Sequence, residues 1–308
     1  MTFASLNARA PYALSSAEMY LTVLVFWFLV VNLFPSERGV ISAARLQVAM
    51  VYTIPLIIRF TRGGDTWING SAVRRVVENP SAAHGPLAGL VEQLPGGVLR
   101  VSTWGVLVVE VCLAVLLAIT AILPSQVSSV VRRRGLVAGI VLHALIGLVC
   151  GLWFFSAVAV LGLSVLLLPD GTERRLGSWI SVLVIVCILS WNVRTIATNA
   201  AVAASRFDDP TARVVRGLGL TQVWSVYSPN PPRDERWVEI REGSEVVVDS
   251  RHEGDRIRKL AQNVATSRSS TLAGAWLKST CSPEPRDLVV VRSSNGNRAE
   301  EPVAAEGC

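Results

Sequence analysis

The chain has 308 residues, of which 51% are hydrophobic and only 17% are charged, and its mean hydropathy is +0.46. Soluble domains carry roughly a quarter charged residues, and here the charges lie between long apolar runs, so the composition excludes an ordinary soluble domain and predicts an integral membrane protein. The net charge of +6 comes from residues 1–204, which hold 14 basic and 8 acidic residues against 15 of each in residues 205–308, and this distribution indicates topology and excludes a nucleic-acid-binding arm.

The apolar runs predict a transmembrane domain over residues 1–204 with about five or six membrane segments. The first run is followed by Pro35-Ser36-Glu37-Arg38 and not by a small-residue cleavage site, which favours an uncleaved helix over a signal peptide. As one helix, the run at 135–169 would be about 50 Å long against a hydrocarbon core of roughly 30 Å, so we expect a break near Gly151 and Phe154-Phe155-Ser156. The predicted spans are residues 19–34, 46–60, 101–123, 135–155, 156–168 (short or re-entrant) and 177–193.

The basic triplet Arg132-Arg133-Arg134 sets the predicted orientation. By the positive-inside rule the triplet is cytoplasmic, so the loop at 61–98 and the start of the chain lie outside. If the stretch 135–169 crosses the membrane and returns, the tail is outside, whereas a single crossing makes the tail cytoplasmic. The first arrangement is the preferred one.

The loop at 61–98 is too long for a simple turn and is expected to carry a short helix. Asn69-Gly70-Ser71 predicts the start of this helix, with residues 72–77 as its body. Pro95-Gly96-Gly97 is expected to end an ordered piece.

After the last span, the sequence predicts an interfacial helix at 209–227 and a small α+β extramembrane appendage, which together occupy residues 205–294. Residues 295–308 are predicted to be a disordered tail. The predicted parts of the appendage are a hairpin of strands 237–240 and 245–248, helices at 255–264 and 271–278, and a strand at 287–291.

Five stretches, in order, resemble the HTTM family, the membrane domain shared with vitamin K-dependent gamma-carboxylase. The segment Asp65-Thr66-Trp67-Ile68-Asn69-Gly70-Ser71-Ala72 resembles the key loop of that family. The resemblance covers about residues 20–240, and it implies a multi-pass protein of the bacterial inner (plasma) membrane. The same broad group includes a membrane protein that helps to mature a secreted sporulation-delaying toxin. The other four stretches are Arg45-Leu46-Gln47 with Tyr52, Glu110, His143 with Phe155-Ser156, and the segment 222–232 with Trp237.

The chain departs from the family pattern in two ways. Carboxylases that resemble this pattern place a catalytic lysine five residues before the loop Trp, where this chain has Arg62. Arginine has a pKa above about 12 and cannot serve as a neutral amine base, so gamma-glutamyl carboxylase activity is not expected. Family members also begin with further helices, so we expect either an internal start in the real gene, or upstream helices that are dispensable or supplied by a partner.

Glu110 and His143 are the catalytic candidates. They lie about nine and twelve residues from the predicted outer ends of their helices, which places both near the middle of the bilayer at 1.5 Å per residue. Ionisable groups are costly there and are functional candidates by default. We expect the two side chains to contact each other, either to move a proton or hold the polar group of a ligand, or only as an interhelical hydrogen bond that fixes packing.

The loop supplies four candidates for substrate binding: Arg62, Asp65, Trp67 and Gly70. Arg62 would clamp a carboxylate, a phosphate or a lipid head group, or its charge snorkels at the interface. Trp67 is interpreted as an aromatic-belt residue that packs the loop, with a place in a binding site as the alternative. Asp65 starts a turn or pairs with Arg62, and Gly70 supplies a special backbone conformation or a close approach.

The cysteines and histidines have no spacing typical of a metal site, and no cofactor is evident. Cys281 and Cys308 are a candidate disulfide pair if the tail is outside.

Three functions stay open at this point. The first is an accessory to the maturation or export of a secreted peptide, or a binder of a hydrophobic substrate, that acts at the outer face. The second is a carboxylase-like membrane enzyme with Glu110 or His143 as its base. The third is a non-catalytic scaffold or subunit. The expected partners are the lipid bilayer, a secreted peptide and a second membrane protein, without nucleic acid.

Overall fold

The computed structural model describes residues 16–34, 38–61, 64–79, 82–170, 231, 235–250, 286–294 and 297–306, with isolated positions between 257 and 277. The described chain is mostly helical and falls into two compact units, a helical bundle within residues 16–170 and a small antiparallel sheet unit within residues 235–306. The predicted span 177–193, the predicted helix 209–227, Arg62, Cys281 and Cys308 lie outside the described residues.

Among the described residues, the bundle contains three helices that are long and apolar enough to cross a membrane, α2, α6 and α7, and two shorter apolar helices, α1 and α8. α2 is the most buried of the three long helices and packs against α6. The helices are α1 (Ser16–Leu33), α2 (Arg38–Thr61), α3 (Asp65–Ile68), α4 (Ala72–Val77), α5 (Ala88–Glu92), α6 (Gly96–Ile122), α7 (Ser129–Cys150) and α8 (Trp153–Leu163), with 3-10 turns at Pro124–Gln126 and Ser164–Leu167.

The long apolar stretch breaks at Gly151, as the sequence predicts, so its second helix begins at Trp153 and not at residue 156. Gly151 has a φ of +72°, a left-handed conformation that favours glycine and commonly ends a helix. The segment around Gly85 packs against the C-terminal end of α7, where the N–H of Gly85 donates to the carbonyl of Val149 at 3.0 Å. A Cβ on Gly85 would lie 2.2 Å from the Leu148 carbonyl oxygen, so this approach requires glycine.

Residues 153–170 return along α7 to the end of the bundle where α7 begins. α8 has 11 residues, and the 3-10 turn that follows rises about 2.0 Å per residue instead of 1.5 Å, which lengthens the return. At the end of the return, Asp170 accepts a hydrogen bond from Arg132 at 2.7 Å. The stretch therefore runs along the bundle and returns to the end at which α7 begins.

The long loop is ordered by three short helices, and α4 occupies residues 72–77 as predicted. Pro95-Gly96-Gly97 follows the end of α5 at Glu92, as expected for a segment that ends an ordered piece, and the same segment also starts α6. The carbonyl of Pro95 accepts from the N–H of Val98 at 2.8 Å. Proline is well tolerated at a helix start, where the first N–H groups have no partner within the helix.

The second unit is a four-stranded antiparallel sheet in the order β2-β1-β3-β4. The predicted hairpin is confirmed, with Gly243 in its turn at a φ of +58°. One face of the sheet buries alternating residues such as Ile240 and Leu288 against helical residues that include Val264 and Trp276. The strands are β1 (Glu235–Glu242), β2 (Glu245–Asp249), β3 (Arg286–Ser294) and β4 (Asn297–Glu306).

The disordered tail predicted for residues 295–308 is wrong for residues 297–306, which form β4 along β3. The segment is rich in charge, but its charges find partners across the sheet. Arg298 donates to the buried Glu239 at 2.9 Å, and Glu300 accepts from Arg241 at 2.8 Å. The hydrogen bond from Arg241 lowers the pKa of Glu300 to about 2.

Candidate functional site

One face of α2 carries three buried polar side chains, Arg45, Tyr52 and Arg59, which are 0%, 5% and 4% exposed. Residues seven apart lie about 20° from two full turns of an α-helix, so the three share a face and are separated by about 10.5 Å along the axis. Each side chain reaches a different partner on a neighbouring element. We call this set the α2 polar face.

At the loop end of the α2 polar face, Arg59 forms an ion pair with Glu110 of α6. The two side chains are 5% and 13% exposed, so the pair is largely removed from solvent. The guanidinium carbon of Arg59 lies 3.9 Å from the centre of the Trp67 ring, a cation–π contact. Trp67 is itself buried, so its position is inside the bundle and not on a surface belt.

The chain after α2 turns back sharply to place Trp67 under Arg59. The N–H of Gly64 donates to the carbonyl of Arg59 at 2.9 Å. A Cβ on Gly64 would lie 2.2 Å from that carbonyl oxygen, so a larger residue is excluded here. α3 then starts at Asp65, which is exposed in its first turn, where a carboxylate suits the positive end of the helix dipole.

The rest of the loop motif is fastened to α6. The N–H of Val73 donates to the Thr103 hydroxyl at 3.1 Å, and the Trp104 indole donates to the Ile68 carbonyl at 3.2 Å. Gly70 has a φ of +80°, and a Cβ there would lie 2.4 Å from Cγ of Arg100. Gly70 therefore combines both features that the sequence proposed for it, a left-handed backbone and a close approach.

In the middle of the α2 polar face, the Tyr52 hydroxyl and Nε2 of His143 are 2.9 Å apart in a hydrogen bond. The His143 ring also has an edge contact with Phe155, with 5.8 Å between ring centres. His143 is 4% exposed, and its Nδ1 has no hydrogen-bond partner among the described residues. The same holds for the buried hydroxyl of Ser156.

The described side chains do not form the expected contact between Glu110 and His143. No hydrogen bond joins the two, because each is paired with a different residue of α2: Glu110 with Arg59 and His143 with Tyr52. The catalytic candidates thus belong to two separate polar contacts about two helix turns apart along α2.

At the other end of the α2 polar face, Arg45 joins the ends of two elements. Its guanidinium donates to the carbonyls of Thr120 at 3.1 Å, Val165 at 3.3 Å and Leu168 at 2.6 Å, and to Asp170 at 2.9 Å. The Thr120 carbonyl lies in the last turn of α6, where carbonyls lack partners within the helix. Arg45 therefore supplies hydrogen-bond donors to the backbone carbonyls at the end of α6 and in the segment that follows α8.

Arg132 completes this cluster from α7. It donates to both carboxylate oxygens of Asp170, at 2.7 and 2.9 Å, and to the carbonyl of Pro124 at 2.5 Å. These hydrogen bonds from Arg132, followed by the one from Arg45, hold the pKa of Asp170 below its usual value. Two arginines thus share one carboxylate, and the remaining positive charge faces carbonyl oxygens, the negative end of the helix dipole.

Sequence reasoning missed the roles of Arg45, Arg59 and Asp170, and took Arg132 as a topology marker. The available signal was the seven-residue spacing of Arg45, Tyr52 and Arg59 within a largely apolar helix. Within the part of the chain that the structure describes, no group of three or more His, Cys, Asp or Glu residues could hold a metal ion.

Comparison of the chain with protein-family models, with curated proteins and with solved structures finds no match in any of the three. The resemblance to the HTTM family therefore stands on the residues of the sequence alone, and a function for the polar contacts is a proposal.

Proposed function

We propose that the chain is a multi-pass bacterial inner-membrane protein of the HTTM type, which binds a hydrophobic or peptide substrate at its loop end. In this proposal it assists the maturation or export of a secreted peptide. It does not act as a gamma-glutamyl carboxylase, because the position of the catalytic lysine is Arg62.

The exposed surface of the bundle supports a membrane location. α6 carries one continuous apolar stripe with residues three or four apart, each between 40 and 68% exposed. Apolar surface of this extent is a liability in water and is typical of contact with lipid or another protein. The stripe consists of Val101, Trp104, Val108, Val111, Val115, Ile119 and Ile122.

The orientation in this proposal places the loop end outside and the start of α7 in the cytoplasm. Arg132 is engaged by Asp170 and is a weak topology signal, so the positive-inside argument depends on the exposed Arg133 and Arg134. Because the chain returns to this end at Asp170, one further crossing by residues 177–193 would place the tail outside.

The main support for a substrate site at the loop end is the ion pair of Arg59 and Glu110, which lies beneath the docked loop. Replacing a buried ion pair by well-packed apolar residues is often neutral or stabilising, so packing alone gives little reason to keep two charges inside an apolar bundle. Intramembrane ionisable groups commonly mark substrate or ion pathways. The glutamate is 13% exposed against 5% for the arginine, so it is the more accessible member of the pair.

Deletion of the gene in its own bacterial host tests this proposal. The peptides in the culture medium of the parent, deletion and complemented strains would be compared by mass spectrometry. We expect at least one mature peptide to disappear on deletion and to return on complementation. Identical peptide sets in all three strains would refute the accessory role, and a second membrane protein that co-purifies with the chain would then favour a scaffold.

A membrane enzyme with a base other than lysine is a second candidate, and His143 is the observation in its favour. Tyr52 fixes the ring through Nε2, while Nδ1 has no partner in the part of the chain that the structure describes and would be available to a substrate. If this candidate holds, His143→Gln abolishes turnover in a protein that still folds. Turnover that survives in the variant would exclude His143 as the base.

A further inference from the structure

Arg133 and Arg134 are exposed near the start of α7, and neither forms an ion pair with another residue that the structure describes. They differ in this respect from Arg132, which is buried against Asp170. Unpaired arginines carry donors suited to bidentate contacts with an anion.

The surroundings of the pair add to its positive potential. The same end of the bundle holds Arg45 and Arg132, which among the described residues share one carboxylate, that of Asp170. The first turn of α7 contains no acidic residue that would offset the positive end of the helix dipole. An anion is therefore the ligand that the electrostatics of this end favour.

An apolar stripe continues from the arginines along α7. Val130, Val137 and Val141 are 54%, 59% and 53% exposed. Together with Arg133 and Arg134 they follow the three- and four-residue spacing of one helix face. The surface thus carries two cationic groups beside a strip of exposed hydrocarbon, the pattern that suits a molecule with an anionic head and apolar chains.

We propose that this surface, formed by Val130, Arg133, Arg134, Val137 and Val141, binds an anionic phospholipid, with its phosphate on the two arginines and an acyl chain along the valines. The inference depends on the proposed membrane location. Charge complementarity selects an anionic head group over a zwitterionic one, and the valine strip selects a lipid over a free phosphate ion.

The test is native mass spectrometry of the full chain in a neutral detergent, with added phosphatidylglycerol or phosphatidylcholine. We expect the unmodified chain to bind phosphatidylglycerol at least about fivefold more strongly, since each basic residue near an anionic surface contributes roughly that factor. Arg133→Gln with Arg134→Gln should bring the two lipids to equal binding. The matched control is Arg74→Gln with Arg75→Gln at the loop end, which removes the same charge and should keep the preference.

Three results would overturn the lipid site: an unchanged preference in the Arg133/Arg134 variant, an equal loss in the control, or displacement of the lipid by millimolar inorganic phosphate. Gel filtration confirms that each variant folds, and both arginines of the site are exposed, so misfolding is not expected.

Membrane fractionation distinguishes failure of the proposed membrane location from failure of the proposed lipid site. A chain found in the soluble fraction refutes the membrane location, whereas a membrane-bound chain without lipid preference refutes the lipid site alone.

Discussion

The guanidinium of Arg59 lies 3.9 Å from the centre of the Trp67 ring while it pairs with Glu110. One side chain of α2 thereby holds the loop motif on one side and α6 on the other. The cation is stabilised by a carboxylate and by the face of an aromatic ring, both of which lower the cost of burying a charge.

The ion pair of Arg59 and Glu110 predicts that a single substitution lowers the free energy of unfolding more than the double substitution does. Glu110→Gln leaves the buried Arg59 without a counter-charge and should lower the free energy of unfolding by about 3–5 kcal/mol. Arg59→Leu combined with Glu110→Leu should cost much less, because no charge stays buried. Denaturant unfolding in micelles measures both, with Glu78→Gln as the control, since the Glu78–Arg74 pair is exposed and should contribute less than about 1 kcal/mol. A double variant as unstable as the single would contradict this explanation.

Loss of the hydrogen bond between Tyr52 and His143 is predicted to destabilise the protein less than loss of the ion pair. The reason is again that a single substitution leaves a buried polar group without its partner. Tyr52→Phe leaves Nε2 of the buried His143 unpaired and should cost about 1–3 kcal/mol in the free energy of unfolding. Adding His143→Leu should recover part of the loss, because both polar groups are then gone. Equal stability of Tyr52→Phe and the parent would show that the bond contributes nothing.

The cluster of Asp170 with Arg45 and Arg132 predicts a specific pH dependence. Hydrogen bonds from the arginines lower the pKa of Asp170, so its contribution is present above the usual carboxyl pKa of about 3.9 and is lost as the pH falls through the lowered pKa. Asp170→Asn should therefore reduce stability at neutral pH, and the gap to the parent should close only in strong acid. Unfolding midpoints of both proteins from pH 7 to pH 2 measure the gap; a gap that closes already near pH 5 would contradict the assignment.

The turn at Gly64 predicts that a single methyl group displaces the loop. In Gly64→Ala the added Cβ would lie 2.2 Å from the backbone oxygen of Arg59, which cannot move aside without opening the turn. We expect Trp67 to lose its burial, which quenching of its fluorescence by a soluble quencher reports once other tryptophans are replaced. Gly89→Ala is the control, because a Cβ there meets open space in α5 and should be neutral or slightly stabilising. Equal quenching of Trp67 fluorescence in the two variants would contradict the role assigned to Gly64 in positioning the loop.

Much of the helical order followed from local signals in the sequence. The break at Gly151 and the helix over residues 72–77 were predicted from glycine, serine and the length limit of a span, and both are local features. The true starts of α2 and α6, at Arg38 and Gly96, lie several residues before the predicted spans. Hydropathy marks where a helix is apolar, whereas a helix begins where its first carbonyls find partners.

The polar contacts were harder to predict because their partners are far apart in the chain. Glu110 and His143 were identified as costly ionisable groups, but sequence gives no direct measure of which helix lies beside them. Their partners come from α2, 51 residues before Glu110 and 91 before His143. The tail shows the same limit, because the charges of β4 find partners in Glu239 and Arg241 of β1, a strand that lies on the other side of β3.

The most direct test of the proposed function is the peptide secreted by a strain that carries only the Arg59→Leu, Glu110→Leu variant. Immunoblotting and gel filtration would first establish that the variant is made and folded like the parent. We then expect the mature peptide that depends on this gene to be absent from the medium, because the charged pair, and not the fold, would be missing. The same amount of mature peptide as in the parent strain would contradict a functional role for Arg59 and Glu110.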